Sequence, residues 1–280
     1  MMLRWWLSTS ALLSSLTIVL VLGFLLQSSW PLIQQQGIAF IIGTEWYPFE
    51  SLFGMLPALI GTIWAVALAL LIALPCGVAA AILCSELLPK SLRGSVRFGM
   101  ELMAGVPSVV YGLLGMWLLL PLLESQLNLL TGRTLLAAGL LLALMILPTI
   151  MVLSEDAIRA VRQSQREAAK NLGIGWDATL WRVLLPQAWP GIRVATLLAT
   201  GRAMGETVAV MLVVGSIDRI PEPFYNFLQP AQTLTSRIGR EMAEASVGSL
   251  HWAALLFCGL MLAVVAMGIA LLSERRRTII

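Results

Sequence analysis

Charge is scarce in this chain. Only 12% of its 280 residues are charged, against about 25% in an ordinary soluble domain. The balance of 18 Lys+Arg over 15 Asp+Glu leaves +3, too small an excess for a polyanion-binding module. Histidine occurs once, as His251, which excludes a bis-histidine haem site and a multi-histidine metal centre. Cys76, Cys84 and Cys258 sit in or beside apolar stretches without paired spacing, so they are expected to pack as small apolar residues. Lysine occurs only as Lys90, after Pro89, and Lys170, after Ala169. The Gly-Lys-Ser/Thr of a phosphate-binding P-loop is therefore missing, and any ATP with its Mg²⁺ is expected on another subunit. No cofactor, metal or catalytic residue is expected in this chain.

What is abundant is apolar surface: 59% of residues are hydrophobic and the mean hydropathy is +0.88. Such a chain is expected to be an all-α, multi-pass membrane protein, because in lipid the backbone polar groups must be satisfied within the helix. About 20 apolar residues make one crossing. Six stretches meet this: roughly Thr9–Leu26, Leu56–Leu83, Phe98–Leu122, Leu135–Val152, Ile192–Val214 and Trp252–Leu272. The first is longer than a signal-peptide core and lacks a following Ala-x-Ala, so it is expected to be retained.

Basic residues then orient the spans. One set of connections holds Arg4, Lys90, Arg93, Arg97, Arg159, Arg162, Arg166, Lys170, Arg182, Arg193, Arg275, Arg276 and Arg277. The other set holds Arg133, Arg219, Arg237 and Arg240. The richer side, with both termini, is expected in the cytoplasm. Outside, Trp30, Trp46 and Tyr47 read as interfacial anchors, and His251 as another at the start of the last span. An amphipathic helix is expected around Leu234–Ala245, with Arg237/Glu241 and Arg240/Glu244 at i,i+4; it is either solvated or a docking surface.

The longest cytoplasmic connection, 154–191, does not look like a loop. Helix formers carry Arg159, Arg162 and Arg166 on one face, Gly173 and Gly175 supply a turn, and a second helix around Trp176–Leu185 is expected to stop at Pro186. It is either a membrane-surface helix or a handle for a cytoplasmic partner. In span 5, Arg202 and Glu206 lie deep in the apolar run and four residues apart. A central charge costs about 2.5–3.5 kcal/mol on insertion scales, so both must face protein or water. They form either a locked pair or part of an anion path, since the arginine fork suits phosphate. Pro107-Ser108, near the start of span 3, is expected to break the helix and free carbonyls. Glu101 is expected to pair with Lys90, Arg93 or Arg97.

Glu167-Ala168-Ala169, Gly173 and Leu185-Pro186 resemble, in type and spacing, the EAA motif of permease subunits of bacterial ABC importers; Val183 stands where isoleucine is usual. Gly201-Arg202-Ala203-Met204-Gly205-Glu206-Thr207 and Pro107-Ser108-Val109-Val110-Tyr111-Gly112 are similar to segments of phosphate importer permeases. Two branches, PstC and PstA, share these segments. Glu45-Trp46-Tyr47-Pro48, Met145-Ile146-Leu147-Pro148-Thr149-Ile150, Thr207-Val208-Ala209-Val210-Met211 and Thr233-Leu234-Thr235-Ser236 look like the PstC branch.

The resemblance implies a six-helix type I ABC importer permease in the bacterial inner membrane. An N-terminal helix and periplasmic connection would occupy 1–54, and the permease core 55–280. It implies coupling to ATP-binding subunits through Glu167, Ala168, Ala169, Gly173, Leu185 and Pro186, and a substrate path past Arg202, Glu206, Thr207, Pro107 and Ser108. Implied partners are a PstA-like permease, two ATP-binding subunits, a periplasmic phosphate-binding protein and membrane lipid, with no nucleic acid. A PstA-like paralogue, a permease for molybdate, sulfate or phosphonate, and an ATP-independent secondary anion transporter are the alternatives.

Overall fold

The computed structural model describes residues 2–274 and is built almost wholly of helices. Arg275, Arg276 and Arg277 lie outside the described residues. The long helices are α1 (Met2–Gln36), α2 (Leu56–Ile82), α6 (Leu135–Arg159), α9 (Leu185–Gly205) and α12 (Leu250–Glu274). Shorter ones are α3 (Lys90–Gly105), α4 (Ser108–Leu114), α5 (Leu120–Leu127), α7 (Gln163–Asn171), α8 (Trp176–Thr179), α10 (Val208–Val213) and α11 (Leu234–Glu241). A small hairpin pairs β1 (Trp46–Tyr47) with β2 (Leu52–Phe53), Trp46 opposite Phe53.

Among the described residues, five helical segments are long and apolar enough to cross a membrane: Trp5–Gln36, Leu56–Leu87, Ser108–Leu127, Leu135–Arg159 and Leu250–Leu271. Two expected spans are therefore redrawn. The third begins at Ser108 rather than Phe98, because the chain breaks at Val106-Pro107 and the preceding α3 is a separate helix. The fifth is not continuous: α9 ends at Gly205, Glu206 is extended (φ −73°, ψ 120°), and α10 starts at Val208.

The bundle is centred on α6. It packs along α2 on one side and α9 on another, while α1 lies against α12. In lipid, helices gain little from burying apolar area against each other, so close packing of small residues holds them. The buried face of α2 is Ala58, Gly61, Ala65, Ala69, Ala73 and Gly77. A methyl at Gly77 would stand 2.8 Å from Ile150 Cγ2, and one at Gly139 2.7 Å from Leu68 Cβ. The same face meets the segment before α11: Thr62 Oγ1 donates to the Ala58 carbonyl (2.7 Å) and accepts from Leu234 N–H (3.0 Å).

Around α11, the expected solvated helix is corrected. Leu234, Thr235, Ser236 and Arg237 are buried. Arg237 pairs with Asp218 rather than Glu241, donates to the Gly54 carbonyl, and lies 3.9 Å above the Trp46 ring. Trp46 is thus core, not an interfacial anchor; its indole N–H donates to Glu241 (2.8 Å). His251 shares that carboxylate at 2.8 Å and stacks on Phe53. Cys84 and Cys258 are buried as expected, whereas Cys76 is exposed.

Gly61 is where the contact between α2 and the 232–234 segment is tightest, because a methyl there would collide with the Gln232 carbonyl. Gly61→Ala should destabilise the purified protein by about 1–3 kcal/mol, read as a lowered thermal unfolding midpoint in detergent. Gly23→Ala, in open space on α1, should leave that midpoint in place.

Candidate functional site

The site is made by two broken helices that meet. At the first break, Val106 and Pro107 are extended and the helical hydrogen-bond ladder is interrupted. The Met103 carbonyl accepts from Val106 N–H (3.2 Å) and from the Tyr111 hydroxyl (2.8 Å). The Ala104 carbonyl accepts from Arg202 Nη2 (3.2 Å), and Arg202 Nη1 donates to Thr149 Oγ1 (3.3 Å). The carbonyls expected to be freed at Pro107 are therefore covered by one hydroxyl and one guanidinium.

The second break lies one turn beyond Arg202. Glu206 N–H reaches back to the Ala203 carbonyl (3.4 Å), and its side chain turns forward to accept from Ala209 N–H (3.3 Å), capping α10. Its own carbonyl accepts from Thr235 Oγ1 (2.8 Å), tying the break to α11. Of the two readings of these residues, the locked Arg202–Glu206 pair does not form. The i,i+4 geometry needs helix through both residues, and Glu206 has already left it. Among the described residues Arg202 has no carboxylate within ion-pair distance.

Close approach brings the two breaks together. At Gly112 in α4 a methyl would stand 3.0 Å from Ala209 Cα and 2.7 Å from Leu212 Cδ1. Thr207 packs its methyl where a side chain at Gly239 would be, 2.8 Å away. Pro107 is exposed, and Ser108, Glu206 and Thr207 are half-buried. Beside them an open stripe of Leu198, Gly201, Gly205 and Val208 runs along α9 and onto α10.

At the arginine-rich end, α7 begins as a separate helix. Arg159 ends α6 and Arg162 caps α7, so Arg159, Arg162 and Arg166 do not share one helical face as expected. Instead Arg166 binds Glu86 (2.7 Å) and the Ile158 carbonyl (2.8 Å), fastening α7 to the ends of α2 and α6. Glu167 and Ala168 are exposed and Ala169 is buried; Glu167 accepts from Gln163 (3.1 Å). Gly173, at φ +71°, closes α7: its N–H bonds the Lys170 carbonyl (3.0 Å) and Ile174 N–H the Ala169 carbonyl (3.1 Å). This is the Schellman ending, which requires a left-handed residue at that position.

On either side of the turn, Leu172 before it and Trp176 and Trp181 after it are exposed. The helix expected to stop at Pro186 does not: a π-turn over Leu180–Leu184 leads directly into α9, which includes half-buried Leu185 and exposed Pro186. The wider turn accommodates the ring and the missing N–H of a proline at the second position of α9. Nearby, buried Glu155 lies between Arg159 (2.5 Å) and Arg97 (3.6 Å), and Arg97 also binds Asp156 (2.6 Å) and Glu101 (2.8 Å), the last as expected. These carboxylates, Asp156 foremost, hold the Arg97 proton even more tightly than usual.

Residues 73–279 match the family of binding-protein-dependent transport system inner membrane components. The chain belongs to that family. The phosphate transport system permease protein PstC of Mesorhizobium japonicum is 34% identical over 261 residues, covering 86% of this chain and 78% of its own length. The probable ABC transporter permease protein YqgH of Bacillus subtilis is 36% identical over 247 residues, covering 86% and 79%. Among solved structures, a chain of a bacterial alginate ABC transporter aligns with a TM-score of 0.64 at 17% identity, covering 97% of this chain and 94% of that one. A chain of the inward-facing MetNI methionine ABC transporter aligns at 0.59 and 17%, covering 79% and 92%. The fold is that of ABC importer permeases, and the protein is a multi-pass membrane protein.

Within this family fold, sequence reasoning reached Arg202 and Pro107 but missed what joins them. Thr149 carried a signal, a hydroxyl next to Pro148 inside an apolar helix. The Tyr111 hydroxyl, the Ala104 carbonyl and Thr235 carried none that spacing can show. Tyr111→Phe should leave the Met103 carbonyl short of one donor and cost about 1–3 kcal/mol. The check is the denaturation midpoint of the purified protein; an unchanged midpoint would show that Val106 N–H alone suffices.

Proposed function

We propose that this chain is the PstC-type permease subunit of an ATP-driven importer of inorganic phosphate in a bacterial inner membrane. The observation that carries the reading is Arg202: a guanidinium within the helix bundle, held by two neutral acceptors and, among the described residues, with no carboxylate within ion-pair distance. Such a cation at the junction of two interrupted helices is suited to take a tetrahedral oxyanion through bidentate, charge-assisted hydrogen bonds. The names of the relatives that cover most of the chain support phosphate as that anion.

In this reading α9 and α10 together make the sixth crossing, with the five long apolar segments. Six crossings place both termini on one face, and the arginine-rich end identifies it as cytoplasmic. Residues 1–54 are an N-terminal helix and external connection, and 55–280 the permease core. The chain pairs with a PstA-like permease, receives phosphate from a periplasmic binding protein and rests on two ATP-binding subunits that hold ATP and Mg²⁺. The coupling surface is the α7–α8 turn, Glu167 to Gly173, whose exposed Leu172 and Trp176 seat on the ATP-binding subunit. Leu185 and Pro186 pass its movement into α9. Phosphate then moves past Pro107, Ser108, Arg202, Glu206 and Thr207. Alternation between inward- and outward-open states follows from which state each partner binds better.

Transport by vesicles holding the reconstituted complex tests this. Arg202→Gln should lower phosphate uptake about 30–150-fold, the factor for roughly 2–3 kcal/mol of lost charge-assisted bonding, with assembly intact. Normal uptake by that variant would return Arg202 to a packing role, and uptake without ATP would overturn the ABC reading. Gly173→Pro removes the N–H that closes α7 and forbids its φ. It should abolish uptake while the chain still inserts and pairs, measured by co-purification with the second permease.

A further inference from the structure

One cavity on the opposite, external end is unlike the rest of the surface. It encloses about 340 Å³ and is lined by Arg133, Met211, Gly215, Ser216 and Arg240. With liquid water at about 30 Å³ per molecule, it has room for an oxyanion together with several waters. No carboxylate lines it.

Its charges are uncompensated. Among the described residues neither Arg133 nor Arg240 enters an ion pair. The expected Arg240–Glu244 pair is absent, and the Arg240 guanidinium donates instead to the Ser216 carbonyl (2.7 Å). Asp218, two residues after Ser216, is paired with Arg237, and Glu241, next to Arg240, is held by Trp46 and His251.

The backbone between the arginines adds donors. Gly215 (φ +90°) and Ser216 (φ +52°) are two consecutive left-handed residues, and their amides donate to no backbone carbonyl among the described residues. Successive amides in such a turn form a concavity that suits an anion. The Ser216 hydroxyl oxygen is buried and without a hydrogen-bond partner. Non-glycine residues adopt such a φ rarely and at a cost.

We infer that this cavity is a second oxyanion-binding site, held by Arg133, Arg240 and the Gly215-Ser216 turn, at the outer mouth of the path. Met211 places it directly beyond the inner site: it lines the cavity and sits one helical turn after Thr207, its N–H bonded to the Thr207 carbonyl (2.9 Å). An anion released at the outer face would pause here before reaching Arg202. The identity of that anion rests on the phosphate reading above; the existence of the site does not.

The test uses the intact reconstituted complex and an arginine-directed dicarbonyl reagent, with modification followed residue by residue by peptide mass spectrometry. Millimolar inorganic phosphate should slow modification of Arg133 and Arg240 at least fivefold relative to chloride at equal ionic strength. Arg219, exposed and paired with Glu222, should react at the same rate in both salts. Arg240→Gln should abolish the protection of Arg133. Equal protection by chloride, or protection of Arg133 that survives Arg240→Gln, would overturn the site. Protection by sulfate or molybdate but not phosphate would support the site and count against phosphate as the cargo.

Discussion

A carbonyl freed inside an apolar layer has to find a donor, and much of this structure follows from that requirement. Leaving a peptide group unpaired there costs several kcal/mol. The break at Val106-Pro107 exposes two carbonyls, and their donors come from different places: Tyr111 from the next helix and Arg202 from α9. Placing Arg202 against Ala104 fixes the depth and rotation of α9. Glu206 then lies where α9 ends, and its own carbonyl needs Thr235 from α11. Three segments distant in sequence are held in register by covering one another's backbone.

The two arginines drawn into the bundle show how differently a buried cation can be treated. Arg237 is fully buried and has a carboxylate, a carbonyl and an aromatic face around it. Arg202 is partly buried and meets only a carbonyl and a hydroxyl. At an effective dielectric of about 20, a carboxylate 4 Å away contributes about 4 kcal/mol of attraction. Arg237 has its counter-charge in place, so it staples the hairpin to α11 and has little field left for a ligand. Among the described residues Arg202 has none within ion-pair distance, so its charge is not cancelled by a direct partner.

Legibility in the sequence followed the range of the interactions involved. The long apolar helices α2, α6 and α12 could be read from composition alone, because length and hydropathy are local. Gly173 could be read too, since a helix ending sets its own requirement within a few residues. Pro107 announced its break, but Glu206 did not: the rule pairing Arg202 with Glu206 presumes the helix whose end it could not see. Arg237 was misread as solvated because Asp218, Gly54 and Trp46 reach it from separate parts of the chain. Pro186 was misread as a stop because a π-turn just before it lets the helix pass.

The unbroken passage from α8 through that π-turn into α9 joins the α7–α8 turn to Arg202 by one continuous helix. On one side, α2 and α6 are locked by Gly77 against Ile150 and by Gly139 against Leu68, contacts too close to slide without a clash. On the other, α9 is set as closely against α6 near its start, where a methyl at Gly191 would stand 2.5 Å from Ala157 Cβ, while farther along the same continuous helix Arg202 is held to its neighbours by two hydrogen bonds, at 3.2 and 3.3 Å. Hydrogen bonds involving one charged partner contribute about 1.5–3 kcal/mol each. Coupling free energies between sites are typically about 1–3 kcal/mol. The two bonds together, about 3–6 kcal/mol, exceed one such coupling energy, so on the proposed coupling route the guanidinium would leave them only when an incoming anion takes their place. That exchange would release the Ala104 carbonyl at the same moment, so the proposed binding of an anion would also open the first helix break to water.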